Sequence, residues 1–258
     1  MRQCQVTMKW KTHIAIAKAI ARALHLQKEL EYTLSQGSIE PDKHPDNVWR
    51  LGRRGRVYKA RAPHHNPDSG VIMKHIWNAR LAYLRGDNVQ AVTSLGKALH
   101  YIQDKTVSRG FFGLSHNSRE EKVAHQTLAT DTIEQGIKSA LCSPHYVRKT
   151  IQGIKPKKNP KAVVNQACVS SAAIAKAVLG DKTPSRELVA DFNSAKESHC
   201  KRTIPIAICA FGLISIAAVI TQNALYLLLG FLCGYGIQRL DVKYHYLKEE
   251  AKWFGIKI

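Results

Sequence analysis

The stretch ALHYIQDK, residues 98–105, decides how the first half of this chain is interpreted, because it places His100 and Asp104 four residues apart. Apolar residues recur around this pair at helical spacing, which predicts a helix. On a helix, residues i and i+4 lie on one face with Cβ atoms about 6 Å apart, so two such side chains can reach one ion. A core histidine held by one hydrogen bond would give the same pattern. Other parts of the sequence have to separate the two interpretations.

A second histidine–carboxylate pair, His116 and Glu120, repeats the same spacing. Neutral imidazole together with carboxylate suits zinc and leaves coordination positions open for water. Clustered zinc ions can bind a phosphate ester and lower the pKa of a bridging water. Four further residues are candidate ligands by type and position: His13, Asp42, His64 and His65.

The composition limits the class of protein. With 258 residues and 45% hydrophobic content, the chain can bury a sizeable core. Lys and Arg number 39 against 19 Asp and Glu, a net charge of +20 that attracts nucleic acid or an anionic membrane surface. The six cysteines are scattered without a CxxC pair, which excludes a disulfide framework and a thiolate zinc site and suits a reducing compartment. The first residues lack the apolar core of a secretory signal.

The periodicity predicts an all-α chain in four segments. Residues 1–154 form a multi-helix domain and residues 155–202 a basic linker with accessory helices, followed by a membrane hairpin at 203–238 and a tail at 239–258. Within them, Asp68 or Ser69, Asp87 and Ser143 are expected to cap helices, and TPSRE at 183–187 is expected to start another with Thr183 as its N-cap. No stretch alternates with period two for long, so strands are not expected.

Residues 203–237 carry no charge. The two apolar arms, Ile204–Ile220 and Ala224–Ile237, are each short for a hydrocarbon core of about 30 Å, and a polar TQN separates them. The apolar character is continuous, which favours a transmembrane or re-entrant helical hairpin over a hairpin buried in a soluble core. Because both flanks are basic, the positive-inside rule predicts that both ends, and the attached domain, lie on the cytoplasmic side of the cell membrane.

Four motifs, THIAIAKAI, GSIEPD, APHHNPDSG and LGKALHYIQD, occur in this order between residues 12 and 104. In this arrangement the chain resembles the zinc-dependent phospholipase C family, which is related to the fungal single-strand-specific zinc nucleases. The resemblance covers about residues 10–135. It implies an all-α fold with a trinuclear zinc cluster in a cleft, and hence one to three Zn²⁺ ions here.

The resemblance also assigns roles to the candidate residues. His100 and Asp104 match zinc ligands, with Asp104 bridging two ions. Asp42 matches a zinc-binding aspartate that is also proposed as a general base. The remaining matches to ligands are His13, one of His64 and His65, and the pair His116 and Glu120.

The sequence departs from the family pattern at two places. The family's N-terminal tryptophan, whose amine binds zinc, has its nearest counterpart in Trp10, which is internal unless a leader is removed. The family's histidine about six residues after the bridging aspartate is absent, since DKTVSRG at 104–110 offers Ser108, Arg109 and Gly110, with His125 as a distant substitute.

Several remaining residues have two interpretations. His75 follows the apolar face of its helix and is expected in the core, while His145 and His199 are expected at the surface. The cationic stretch 50–61 is either a solvated loop or a binding site for phosphate or lipid headgroups.

Three functions are compatible with this pattern. The favoured one is a membrane-anchored zinc phosphoesterase that hydrolyses phospholipid with zinc-activated water. The second is a zinc nuclease on the same scaffold, with nucleic acid as its partner. The third is a non-catalytic membrane protein with a partly degraded metal site.

Overall fold

The computed structural model describes residues 6–53, 55–61, 68–107 and 130–257. Helices dominate them, which confirms the predicted all-α class at this level. The chain divides into two compact units, Met1–Asp181 and Lys182–Ile258.

The first unit is a helical assembly with one small sheet. Its helices are α1 Val6–Ala23, α2 Lys28–Gly37, α3 Glu40–Lys43, α4 Ser69–Leu84, α5 Asn88–Thr106, α6 Thr130–Ser139, α7 Pro144–Gly153 and α8 Pro160–Val178. The predicted caps are present: the side chains of Asp68, Asp87 and Ser143 accept hydrogen bonds from backbone N–H groups at the starts of α4, α5 and α7.

A two-stranded antiparallel sheet corrects the prediction that strands are absent. Strand β1, Asn47–Leu51, pairs with β2, Val57–Arg61, in a register that sets Trp49 opposite Lys59. Both faces of this hairpin are largely exposed, so no hydrophobic–polar alternation marks the strands in the sequence. The β-branched and aromatic residues Val48, Trp49, Val57 and Tyr58 favour strand locally.

Helix α5 organises the first unit because it packs against α2, α4 and α8. Its crossing with α2 is close: a Cβ added to Gly96 would lie 2.7 Å from the carbonyl carbon of Gly37. Only glycine permits this approach. It brings the residue after α2, Ser38, beside the C-terminal half of α5, which carries His100.

Helix α8 belongs to the first unit. It packs against α6 and α5, and the buried guanidinium of Arg80 on α4 donates to the carbonyl oxygens of Val178 and Gly180 at its C-terminal end, at 2.9 and 3.1 Å. The sequence-based division grouped residues 155–202, whereas the packing divides after Asp181. Long-range contacts of α8, which local composition does not report, account for the difference.

The second unit contains the apolar hairpin and the helices on either side of it. Its elements are α9 Arg186–Ser198, a π-helical turn His199–Thr203, α10 Ile204–Thr221, α11 Leu225–Leu240 and α12 Val242–Trp253. Ser185, not Thr183, caps α9, accepting from the N–H of Leu188 at 3.1 Å. His199 was expected at the surface but is buried, where its ring stacks on Tyr244 and its Nδ1 lies 2.8 Å from the carboxylate of Asp241.

The predicted helical hairpin is present as α10 and α11. Among the described residues, one continuous helix, Arg186–Thr221, is long and apolar enough to cross a membrane, and α11 is a shorter apolar helix. The two arms pack through glycines, since added Cβ atoms on Gly230 and Gly234 would lie 3.3 Å from Phe211 and 3.2 Å from the carbonyl of Ala207. Most other side chains of the arms are exposed within this unit.

Candidate metal centre

Three buried residues from two helices converge in the first unit. One ligand atom from each of His13, His100 and Asp104 lies within 4.8 Å of the others. The Nε2 atoms of His13 and His100 lie 3.3 Å from Oδ1 and Oδ2 of Asp104, respectively. Ligand atoms bound tetrahedrally to zinc at about 2.1 Å are separated by about 3.4 Å. The three donors, which lie within 4.8 Å of one another, are close enough together to hold one such ion.

The orientation of each imidazole is set by an acceptor on its other nitrogen. Nδ1 of His13 lies 2.6 Å from Oε1 of Gln103, and Nδ1 of His100 lies 2.9 Å from the carbonyl oxygen of Ser38. The Gln103 amide oxygen and the Ser38 carbonyl only accept, so each Nδ1 donates. In the neutral rings, the lone pairs are then on the Nε2 atoms that face Asp104. Metal-binding histidines in proteins are held in this way.

The Gln103 side chain is itself held in place. Its amide nitrogen donates to the Oγ of Ser171 at 3.4 Å, which is consistent with the amide oxygen facing His13. Sequence reasoning did not identify Gln103 or Ser38 as part of the site. Gln103 directly precedes Asp104, but a glutamine in that place carries no signal until the position of His13 is known.

Asp42 lies at the edge of this cluster. Its Oδ1 is 3.7 Å from Nε2 of His100, and its Oδ2 accepts a hydrogen bond from the indole N–H of Trp10 at 2.9 Å. Short helix α3 supplies Asp42, and α1 supplies Trp10. The structure thus brings together His13, Asp42, His100 and Asp104, while their role as metal ligands stays a prediction.

The other candidate ligands lie outside the described residues. These are His64, His65, His116 and Glu120, together with the substitute His125.

The buried pair His100 and Asp104 has strongly shifted acid–base properties. Burial lowers the pKa of His100, but the carboxylates of Asp104 and Asp42 and the hydrogen bond to Ser38 outweigh burial and raise it to about 9. Burial acts to raise the pKa of Asp104, yet His100 and His13 hold it well below its usual range. The pair is therefore stable as imidazolium and carboxylate, and a cation that binds these atoms would displace the proton.

A second polar cluster borders the site on α5. Nε2 of His75 lies 2.7 Å from Oδ2 of Asp46, and the hydroxyl of Tyr101 donates to the same oxygen at 2.8 Å. His75 is buried, as its position on an apolar helix face predicted. Burial acts to raise the pKa of Asp46, but His75 and Tyr101 lower it overall. Asp46 thereby anchors the start of the β-hairpin to the residue next to His100.

A cavity of about 30 Å³ adjoins the cluster. His13, Gln103, Asp104 and Thr12 form its polar wall, and Ile16, Val107, Val163, Val164 and Ala167 form its apolar wall. This volume is enough for a water molecule, and polar partners are at hand. The site can therefore hold a metal ion and a water close together beside an apolar wall.

No protein-family model, curated protein or solved structure matches this chain.

Proposed function

We propose that this protein is a membrane-anchored, zinc-dependent phosphoric ester hydrolase acting on phospholipid. The observation that carries the proposal is the convergence of two imidazole Nε2 atoms on the carboxylate of Asp104, with both Nδ1 atoms committed to acceptors. A histidine buried for packing alone does not need a second histidine on the same carboxylate. Two histidines and an aspartate form the donor set of a zinc site that keeps positions open.

Different residues of the chain would bind the metal ion and accept the proton. His13, His100 and Asp104 would hold the ion, which when bound lowers the pKa of a water and polarises the phosphate. Asp42, oriented by the indole N–H of Trp10, would accept a proton from the attacking water. The apolar wall beside the site would limit access of bulk water.

The choice of phospholipid depends on the second unit. Its helix Arg186–Thr221 is long and apolar enough to span a bilayer, and attachment to a membrane raises the effective concentration of lipid at a site on the same chain. A soluble phosphate ester gains nothing from this attachment.

We further propose that both ends of the hairpin are cytoplasmic, since Lys201 and Arg202 precede it and Arg239 and Lys243 follow it. A variant that keeps only Cys200, which is exposed, tests this. An impermeant maleimide added to intact cells should leave Cys200 unmodified until the cells are opened. Modification in intact cells would reverse the orientation.

The test of the reaction combines metal content with turnover. The full chain, purified in chelator-free buffer, should contain zinc and hydrolyse phospholipid vesicles faster than single-stranded DNA. Asp104→Asn should lose both properties, while the matched control Asp241→Asn in the second unit should keep both. Zinc without turnover on either substrate would favour the non-catalytic membrane protein.

A nuclease is the second candidate because Trp49 and Tyr58 are exposed on the cationic β-hairpin. Aromatic side chains beside cations bind single strands by stacking on bases. Faster hydrolysis of DNA than of lipid, with a strong decrease at high salt, would support the nuclease.

A further inference from the structure

The hairpin β1–β2 presents an exposed apolar face. Trp49 and Leu51 lie two residues apart on β1 and therefore on one side of the sheet, and Val57, the register partner of Leu51, lies on that same side. These side chains are 73%, 74% and 62% exposed. A tryptophan and two aliphatic residues exposed side by side in this way are costly in water unless something binds them.

The charges of the hairpin all have one sign. Between Asn47 and Arg61 the sequence has six cationic residues and no acidic one. Four of them have exposed side chains in the structure: Arg50, Arg53, Arg56 and Lys59. The acidic residue that directly precedes the hairpin in sequence, Asp46, contacts His75 and Tyr101.

We propose that this hairpin is a membrane-docking element that inserts Trp49, Leu51 and Val57 into the headgroup region of an anionic phospholipid bilayer. Tryptophan is enriched at that depth because its ring is amphipathic. Each cation near an anionic leaflet strengthens binding about fivefold. An exposed apolar face next to cationic side chains matches a bilayer surface better than a protein groove. Binding to a bilayer needs no shape complementarity, whereas binding in a groove does.

The hairpin would also orient the candidate metal centre. It follows α3, which carries Asp42, and Asp46 ties its first strand to Tyr101, the neighbour of His100. Docking would therefore hold the edge of the site that carries Asp42 near lipid headgroups. The inference rests on the membrane attachment in the proposed function but does not require hydrolysis.

The fluorescence of Trp49 in the full chain, reconstituted into vesicles, tests the proposal. Subtracting the emission of Trp49→Phe from that of the wild type isolates this residue from Trp10, Trp77 and Trp253. In vesicles of brominated phosphatidylcholine and phosphatidylglycerol, Trp49 should emit at shorter wavelength than in detergent and lose most of its intensity to the bromines. Pure brominated phosphatidylcholine should quench it much less.

Paired charge variants separate the hairpin from the general positive charge. Replacing Arg50, Arg53, Arg56 and Lys59 by Gln should abolish the quenching in anionic vesicles. The matched control removes the same charge elsewhere in the first unit, by replacing Lys18, Lys28, Lys149 and Lys158, all exposed, and should leave the quenching unchanged. Equal loss in both variants would overturn the proposal, and circular dichroism checks that both remain helical.

Three further results would also overturn it. Trp49 could stay unquenched in anionic vesicles while the protein floats with them, which would leave membrane attachment intact and refute docking alone. Alternatively, Trp49 emission could respond to a single-stranded oligonucleotide and not to anionic lipid, which would assign the hairpin to nucleic acid. A protein that does not float with vesicles would contradict membrane attachment itself, and with it this inference.

Discussion

Each of the two units contains buried histidine next to aspartate, but the two arrangements differ in kind. In the first unit, His13 and His100 share the carboxylate of Asp104 through Nε2, at 3.3 Å each. In the second, His199 contacts Asp241 through Nδ1 at 2.8 Å. The difference that supports a metal site in the first unit is the number of imidazoles on one carboxylate, which is two at Asp104 and one at Asp241.

The partners of the two carboxylates reinforce this difference. Asp241 also accepts from the hydroxyl of Thr203 at 3.0 Å and from the N–H of Tyr244 at 3.2 Å, and the ring of His199 stacks on Tyr244. Asp241 thus caps α12 and joins it to the π-helical turn. Asp104 has two imidazoles at a distance that suits ligands around an ion. These partners support the proposal that the first cluster binds metal, whereas the second joins two helical segments.

The largest expected effect is the loss of metal in Asp104→Asn. Removing the shared carboxylate eliminates the only negative ligand in the described triad, so zinc affinity should fall more than about 100-fold, beyond the effect of outer-shell changes. Elemental analysis of purified protein measures this, with Asp241→Asn as the matched control. Zinc retained in Asp104→Asn, or lost in Asp241→Asn, would reverse the assignment of the two clusters.

Zinc affinity should depend steeply on pH because zinc must displace a proton from His100. With a pKa raised to about 9, the metal-free imidazole is protonated at neutral pH, and affinity should rise about tenfold per pH unit for each proton displaced. In the protein without zinc, the stability that His100 contributes changes with pH in the opposite direction. It is fully present below pH 6.5 and is lost as the pH rises through about 9. Calorimetric titration in buffers of different ionisation enthalpy counts the protons released. A zinc affinity that does not change between pH 6.5 and about 9 would contradict the pairing of His100 with Asp104.

Gln103→Met should weaken zinc binding by about 10- to 100-fold, the usual effect of removing an outer-shell acceptor. Methionine keeps the length of the side chain but cannot accept the Nδ1 proton of His13, so that ring loses its orientation. The control is Gln90→Met on the same helix. The side-chain amide of Gln90 donates to the hydroxyl of Ser94 and contacts no histidine in the described hydrogen bonds. Competition with a chromophoric chelator measures both variants, and equal affinities would show that Gln103 has no orienting role.

The smallest effect is expected in the second unit. Asp241→Ala should lower the free energy of unfolding by about 1–2 kcal/mol, the cost of losing a helix cap, without changing zinc content. Burial acts to raise the pKa of Asp241, but His199, Tyr244 and Thr203 lower it overall from 3.8. The stability that Asp241 contributes is therefore present above pH 3.8 and is lost as the pH falls below 3.8. Circular dichroism of the detergent-solubilised full chain, followed against temperature at acid and neutral pH, should show less acid sensitivity in the variant. An unchanged acid response would indicate that Asp241 does not stabilise the unit.

Local patterns in the sequence were enough to predict several features. Asp68, Asp87 and Ser143 cap helices as their residue types predict, because capping depends on neighbours within a few residues. The charge-free run was enough to predict the helical hairpin, since continuous apolar character in the absence of charge has few other solutions. The spacing of His100 and Asp104 was enough to place them on one helix face.

Features that depend on distant residues were decided by tertiary structure alone. The resemblance implied that His13 and Asp104 meet, but local patterns did not, since the meeting depends on α1 packing beside α5. The other nitrogen of His13 meets Gln103, 90 residues away in sequence. Ser38 reaches His100 only because glycines let α2 approach α5. The partner of buried His199 is Asp241, 42 residues away in sequence. The exposed hairpin β1–β2 was missed because its two faces are alike in exposure, so no period appears. The sequence by itself determined which side chains are available and on which helix face they lie. Tertiary packing decided which of them meet, because contacts between distant segments are selected by shape and close approach rather than by local propensity.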